Sequence, residues 1–459
     1  MSLVSWAIAG MVMMGSGAAA DQAIIRLPLS KTSPKVDGKL ASREYDDAVI
    51  LGGAFPGWGF SPRPQSPTVY LKRDAERLYV AYDNPLKEGE RPSLRGAVPD
   101  NAGICMGNAI ELFFLPKRPK GQLLEYIQFA GNARGCVYDA KSIPQVGVTY
   151  VAEYNVPWQF RNSIVPGHWR AEISVTFGQI MVSSTADGES FDADFGRDGG
   201  TGPNGVHSYT LAYHQVQSGK GVRVIFDAAA PAVQWRSFGD FEHNTFNPKL
   251  RLKSTGGAGT YRVGFLLTGA APDAKGDYET IFRKSVPVTL GAGEAKPVTV
   301  SHKLKPKSKG IAHYRITDGG GKVVFYRRLP YTANLAAPRL YTTAKPKPMV
   351  VSARMAPSYG RIGVTADIID FPGDKSKVAV EAAAYRQGRT KPLGSVLMDR
   401  FSLDYAQGIL EVGKLTEGTF VVTFRALDRD TKKPLGCEEE VRLVRKVYEW
   451  EGNSLGVSD

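Results

Sequence analysis

The sequence predicts an all-β protein made of three consecutive β-sandwiches. Fifty Gly and 29 Pro residues are spread along the chain, and no long segment shows the 3.6-residue apolar period of a helix. Instead, short segments such as residues 68–72 and 77–82 alternate apolar and polar residues around polar turns. A chain of 459 residues exceeds one hydrophobic core, and about 150 residues per domain gives three units.

The spacing and composition of these segments divide the chain. The first unit, residues 21–230, contains further strand-like segments at 109–115, 123–130, 135–138, 149–154, 169–177, 209–213 and 222–226. Short segments spaced by Gly and Lys then predict one immunoglobulin-like β-sandwich over residues 231–335 and another over residues 349–447. Pro- and Lys-rich residues 336–348 are typical of a linker, and residues 448–459 form a linker-like tail.

The first 20 residues predict export. Residues 1–20 carry no charge and end in three alanines before Asp21, which is typical of a cleaved signal peptide, although no Lys or Arg precedes the apolar stretch. An uncleaved anchor or a wrongly assigned start is the alternative. No other segment approaches the roughly 20 apolar residues that span a bilayer. We therefore expect a secreted or periplasmic protein that has no membrane contact after cleavage.

Charge and cysteine content narrow the range of partners. The formal net charge is +13, but the densest basic runs, residues 117–120 and 303–309, lack the interleaved aromatic residues of a nucleic-acid surface. We expect no nucleic-acid partner, and an acidic polysaccharide or another anionic surface fits better. Cys105, Cys136 and Cys437 lack the spacing of a zinc site. Cys105 and Cys136 flank a predicted hairpin and could form one disulfide.

Six short motifs follow one another in the first unit. They are VDGKL at 36–40, LYVAYD at 78–83, AIELFF at 109–114, EYIQF at 125–129, Asn132 with Gly135 and Asp139, and WRAEISV at 169–175. In this order they resemble a family 9 carbohydrate-binding module, within the broader DOMON-like class of β-sandwiches. The resemblance implies a jelly-roll or DOMON-like sandwich that binds a carbohydrate and is not an enzyme.

The resemblance also indicates candidate sugar contacts. Such modules stack aromatic side chains on a pyranose ring and direct amide and carboxylate groups at its hydroxyls. Trp58 and Trp158, each between turn-forming residues, resemble the sugar-clamping pair. Glu111, Gln128 and Asn132 are the polar candidates because they are expected on neighbouring strands or at their ends.

Each candidate has an alternative role. Either tryptophan could pack within its loop, and Gln128 could face solvent. Glu111 could hold a loop or belong to a structural calcium site, which related modules build from carboxylates and carbonyls. Asn108 stands where the family usually has an acidic residue, which weakens the expectation of calcium there. Trp169 occupies a core position of the family and is expected to be buried.

The sequence therefore predicts an exported, non-catalytic carbohydrate-binding protein of a polysaccharide-degrading system. Residues 448–459 resemble the linker that precedes the catalytic barrel of large multidomain glycoside hydrolases. One alternative is thus a fragment of such a hydrolase, whose glycosidase domain is missing from this chain or encoded separately. A structural or adhesive cell-envelope protein is the other alternative.

Two further chemistries are weighed against sugar binding. Asp192 and Asp194 would share one face of a strand. The paired carboxylates of glycosidases instead lie on either side of a cleft, about 5 to 9.5 Å apart. GxSxG, HExxH and P-loop motifs are absent from the sequence. Some DOMON-like sandwiches hold haem, and Met106 with a histidine would be the ligands here. Packing of Met106 is the expectation we prefer.

Overall fold

The fold is described from a computed structural model of the chain. It describes residues 22–41, 43–52, 67–86, 92, 94, 104–105, 107–116, 126–143, 149–151, 154–199, 221–272, 277–334, 347–402 and 404–446. These residues form β-strands, turns and the short 3-10 turns Gly178–Ile180, Phe241–His243, Pro357–Tyr359 and Lys375–Lys377. The predicted all-β class is confirmed. No helix in these ranges is long and apolar enough to cross a membrane.

The strands are numbered in chain order. The first fourteen are β1 (Ile24–Leu27), β2 (Val49–Gly52), β3 (Thr68–Arg73), β4 (Arg77–Pro85), β5 (Asn108–Pro116), β6 (Ile127–Asn132), β7 (Val137–Ile143), β8 (Thr149–Val151), β9 (Gln159–Val165), β10 (His168–Thr176), β11 (Ser190–Gly199), β12 (Val222–Phe226), β13 (Ala232–Ser237) and β14 (Thr245–Phe246). The remainder are β15 (Lys249–Lys253), β16 (Gly259–Pro272), β17 (Tyr278–Leu290), β18 (Ala295–Thr299), β19 (His302–Lys303), β20 (Lys309–Asp318), β21 (Val323–Thr332), β22 (Val350–Ala356), β23 (Arg361–Asp367), β24 (Val378–Arg386), β25 (Gly394–Met398), β26 (Tyr405–Glu411), β27 (Gly418–Asp428) and β28 (Pro434–Arg445).

Two large sheets organise residues 22–334. One has eleven strands in the order β17-β16-β20-β21-β1-β12-β11-β5-β6-β7-β8, and the other has eight in the order β18-β15-β13-β2-β3-β4-β10-β9. Alternate side chains of many of these strands, such as Val80 and Tyr82 of β4 and Leu112 of β5, are buried in a common core. Strands β14 and β19 form a small separate pair.

Both large sheets continue across residue 230, the predicted boundary between the first two units. β1 pairs in parallel with β12 and antiparallel with β21, with Ile24 opposite Tyr326. β13 pairs in parallel with β2, with Gln234 opposite Ile50. Side chains from both sides of the boundary belong to one core. The change in strand spacing and composition at residues 230 and 231 therefore does not mark a boundary between sheets.

Residues 347–446 form their own two-sheet unit. Its sheets have the orders β22-β23-β26 and β25-β24-β27-β28, and Ile362, Val380 and Phe424 belong to its core. Arg134, in the turn after β6, donates from Nη2 to Asp367 Oδ1 of β23 at 2.9 Å. This nearly buried ion pair links the unit to the eleven-stranded sheet.

Candidate functional site

Trp158 lies in the loop between β8 and β9 and is held in a defined orientation. Its Nε1 donates to Asp139 Oδ1 at 3.3 Å, and the backbone N–H of Val156 donates to Asp139 Oδ2 at 3.1 Å. The indole contacts Phe129 and Phe160, with ring centroids 5.1 and 6.2 Å away. The side chain is half-buried. Asp139 of β7 thus fixes both the loop and the ring.

A second set of contacts supports the same loop. The Tyr154 hydroxyl donates to the carbonyl of Gln179 at 2.6 Å, and Gln179 Nε2 donates to the carbonyl of Pro157 at 2.8 Å. Burial raises the pKa of Tyr154, so this hydroxyl is protonated and can donate over the physiological pH range. Asn155 and Gln159, three residues before and one residue after Trp158, are exposed. The segment around the fixed aromatic ring therefore carries two exposed amide side chains.

Glu111 and Gln128 contact each other, as expected for neighbouring strands. Gln128 Nε2 donates to Glu111 Oε1 at 2.6 Å, and the Cys105 thiol lies 3.5 Å from the same oxygen. Both side chains are nearly buried, with Glu111 5% and Gln128 4% exposed. Gln128 and the core residue Phe129 are adjacent on β6 and so point to opposite faces of the sheet. The structure thus places Glu111 and Gln128 on the face opposite to Trp158 and does not bring these three residues together.

Asn132 closes the turn between β6 and β7. Its Oδ1 accepts from the backbone N–H groups of Arg134, at 3.1 Å, and Cys136, at 3.0 Å. Gly135 in this turn has a φ of +98°, a conformation that favours glycine. Asn132 is fully buried, so in this structure it supports the turn.

The two other tryptophans of the first unit have different outcomes. Trp58 lies outside the described residues, so its role as the partner of Trp158 stays a prediction. Trp169 is fully buried, as expected, and its Nε1 lies 3.3 Å from Asn162 Oδ1. The guanidinium of Arg197 lies 5.2 Å from the centre of the Trp169 ring. This cation–π contact offsets part of the free-energy cost of burying the Arg197 guanidinium in the core.

The same region contains the residues of the metal and disulfide hypotheses. Among the described residues, no group of three or more His, Cys, Asp or Glu side chains is arranged to hold a metal ion. Cys105 and Cys136 meet in one small apolar cluster but are not joined by the disulfide considered above. Asp192 pairs with Arg223 at 3.1 Å, whereas Asp194 is fully buried. These two carboxylates do not flank an open cleft.

One buried carboxylate, Glu172, joins two of the six motifs in the folded protein. Glu172, from WRAEISV, accepts from the backbone N–H groups of Asp37, at 2.9 Å, and Gly38, at 2.5 Å, in VDGKL. It also accepts from the Tyr45 hydroxyl at 2.9 Å. Burial raises the pKa of Glu172 despite these donors. The two motifs do not by themselves predict this contact, because nothing in either sequence shows which strand face receives the loop.

Comparison with known proteins adds no assignment. No model of a known protein family and no curated protein matches the chain. A candidate carbohydrate-binding protein from Bacteroides uniformis matches at 11% identity and a TM-score of 0.33, over 45% of this chain and 100% of that one. An exo-chitosanase from Amycolatopsis orientalis matches at 13% identity and a TM-score of 0.17, over 51% of this chain and 28% of that one. Escherichia coli alpha-2-macroglobulin matches at 10% identity and a TM-score of 0.19, over 90% of this chain and 35% of that one. These TM-scores are too low to support a functional assignment.

Proposed function

We propose that the protein is an exported, non-catalytic carbohydrate-binding protein that stacks a sugar ring on Trp158. The observation that carries the proposal is the fixed orientation of a half-buried indole by Asp139, Phe129 and Phe160. A ring that is already ordered loses little conformational freedom when a ligand binds. Export is proposed from the apolar residues 1–20.

The neighbourhood of Trp158 suits a sugar. The indole offers apolar area to the C–H face of a pyranose, and the exposed amides of Asn155 and Gln159 can donate to and accept from its hydroxyls. These two amides replace Glu111 and Gln128 as the proposed polar contacts on this side of the sheet. Trp58 is kept in the proposal as the second stacking residue.

Binding without catalysis is proposed because Asp139, the carboxylate that contacts Trp158, is already engaged. Both oxygens of Asp139 accept hydrogen bonds from the Trp158 loop. Glycoside hydrolysis needs two carboxylates that flank the scissile bond. Asp139 instead positions the ring. Within this proposal the protein acts beside a glycosidase that is encoded elsewhere.

Replacement of Trp158 tests the proposal. Trp158→Ala should weaken retention on the cognate polysaccharide about 30-fold, since a central aromatic contact contributes about 2 kcal/mol to binding. Trp158→Phe should retain most of the binding because it keeps an aromatic face. Tyr359→Ala is the matched control, since Tyr359 is 75% exposed and lies in the separate unit 347–446. Affinity electrophoresis measures retention, and circular dichroism checks folding.

The result that contradicts the proposal is equally specific. A folded Trp158→Ala protein that is retained like the wild type would show that Trp158 does not stack on sugar. A protein that binds no glycan but still adheres to cell envelopes would favour the structural or adhesive alternative.

A further inference from the structure

A cavity of about 240 Å³ lies on the outer face of the eight-stranded sheet. Its floor comes from the adjacent strands β13, β2, β3, β4 and β10 and is made of Gln234, Arg236, Ile50, Tyr70, Asp83 and Arg170. Ile50 stands between Gln234 and Tyr70 in the sheet, and Asp83 stands opposite Arg170. Trp158 packs on the core side, against Phe160. The cavity is therefore separate from the proposed stacking site.

The wall of the cavity is a loop segment, residues 37–41 and 43–48, that buried polar side chains hold in place. Glu172 binds this segment at Asp37, Gly38 and Tyr45, as described above. Lys72, 1% exposed, donates to the carbonyl of Glu44 at 2.6 Å and pairs with Asp47 at 2.7 Å. Tyr45 then contacts Tyr70 edge to face, with ring centroids 5.5 Å apart. The cavity thus has a preformed wall and an aromatic lining.

One acceptor in the floor has no donor among the described residues. Gln234 is 1% exposed, and its Nε2 donates to the carbonyls of Asp46, at 2.7 Å, and Ala48, at 3.2 Å. These two bonds fix the amide, so its Oε1 is the remaining group, and no described donor reaches it. A buried acceptor without a donor costs about 1–3 kcal/mol. A hydroxyl group of a ligand in the cavity would satisfy it.

The opposite end of the floor has a buried donor, Arg170 Nε, without an acceptor among the described residues. Arg170 Nη1 donates to the carbonyl of Lys39 at 3.1 Å. Its Nε is buried without an acceptor among the described residues, and the nearest ion-pair oxygen, Asp83 Oδ1, is 3.7 Å away. Asp83 Oδ1 is itself 2.8 Å from His168 Nδ1. Arg170 Nε is therefore a second buried polar atom of the lining residues without a hydrogen-bond partner among the described residues.

The acidic residues that line the cavity already have basic partners. Asp46 is directed to Lys253 and to Arg251, the latter at 3.1 Å, and Asp83 lies near His168 and Arg170. Arg236 is exposed and lines the cavity together with Tyr70, and it forms no ion pair with any described residue. A guanidinium without a carboxylate partner, next to a phenol, is suited to binding a carboxylate.

We propose that this cavity binds a hexuronate residue, a sugar whose carboxylate pairs with Arg236 and the Tyr70 hydroxyl. One ring hydroxyl donates to Gln234 Oε1, and another oxygen accepts from Arg170 Nε. The cavity holds about eight water molecules at about 30 Å³ each, which corresponds to one sugar residue. The net charge of +13 favours the approach of an acidic polysaccharide. The inference takes from the proposed function only the class of ligand, carbohydrate, and adds a second site.

Isothermal titration calorimetry at about 0.15 M salt tests this site. The probes are digalacturonic acid and its dimethyl ester, which has the same sugar rings but no negative charge. The wild type should bind the acid at least tenfold more tightly than the ester. Arg236→Gln should lower affinity for the acid at least tenfold, whereas Arg283→Gln, which removes an equally exposed arginine on β17, should leave it unchanged. Trp158→Ala should also leave binding of the acid unchanged.

Several results would overturn the inference. Equal affinities for acid and ester, or an unchanged affinity in Arg236→Gln, would show that no carboxylate binds at Arg236. Loss of acid binding in Trp158→Ala would assign the acid to the stacking site instead. The two proposals can fail separately. Binding of the acid without binding of any neutral glycan would contradict sugar stacking on Trp158. Binding of neutral glycans without a preference for the acid would contradict the second site.

Discussion

Removal of the Glu172 side chain should destabilise the larger core. Glu172→Ala deprives three donors of their acceptor, and two of them, the Gly38 N–H and the Tyr45 hydroxyl, are in buried hydrogen bonds. At about 1–3 kcal/mol for each buried donor left unpaired, the loss would be about 2–6 kcal/mol. Removal of a buried carboxyl offsets part of this, because burial already raises its pKa. We therefore expect a decrease of about 2–3 kcal/mol in the free energy of unfolding.

Denaturant unfolding followed by tryptophan fluorescence measures this change. The described unit 347–446 contains no tryptophan, whereas Trp158, Trp169 and Trp235 report on the larger core. The fluorescence midpoint should shift, with an unchanged denaturant slope. Glu76→Gln, at an exposed carboxylate, is the control and should change little. A decrease of less than about 0.5 kcal/mol in Glu172→Ala would refute the structural role assigned to Glu172.

Two further predictions concern the same loop. Gly38→Ala should cost more than about 1 kcal/mol, because Gly38 has a φ of +82° and an added Cβ would lie 2.9 Å from the Asn162 carbonyl carbon. Gly167→Ala, at a φ of +76° with nothing within 4 Å, should cost less, and equal costs would contradict the steric argument. Stability should also depend on pH through Glu172. Because its pKa is raised in the folded protein, its contribution is complete below the ordinary value and is lost as pH rises through the raised one. The stability of the wild type relative to Glu172→Gln should therefore fall as the pH rises above the ordinary glutamate pKa of 4.5, and a rise would reverse the assigned direction.

Much of the strand pattern could be predicted because it is local. Residues 68–72 and 77–82 alternate around a turn, and the structure forms β3 and β4 there. The pairing of β1 with β21 could not be predicted, since it joins Ile24 to Tyr326 and no local pattern records a contact between such distant residues. The continuity of the eleven-stranded sheet across residue 230 follows from that pairing, and that of the eight-stranded sheet follows from the pairing of β2 with β13.

The candidate site was predicted less completely than the fold. Glu111 and Gln128 were correctly placed on neighbouring strands, but their distance from Trp158 depends on a sheet face that the loop sequence does not specify. Asp139 orients Trp158, but in the sequence it stands out only as part of the motif with Asn132 and Gly135. The cavity floor comes from five strands separated along the chain, so its residues form no sequence motif.

A glycan array probed with the wild-type protein and with Trp158→Ala tests the central claim most directly. The wild type should bind a defined set of glycans, Trp158→Ala should lose the neutral members of that set, and Tyr359→Ala should retain all of them. A parallel array with a calcium chelator shows whether binding depends on a metal. The absence of binding to any glycan, or identical binding by Trp158→Ala and the wild type, would contradict the account.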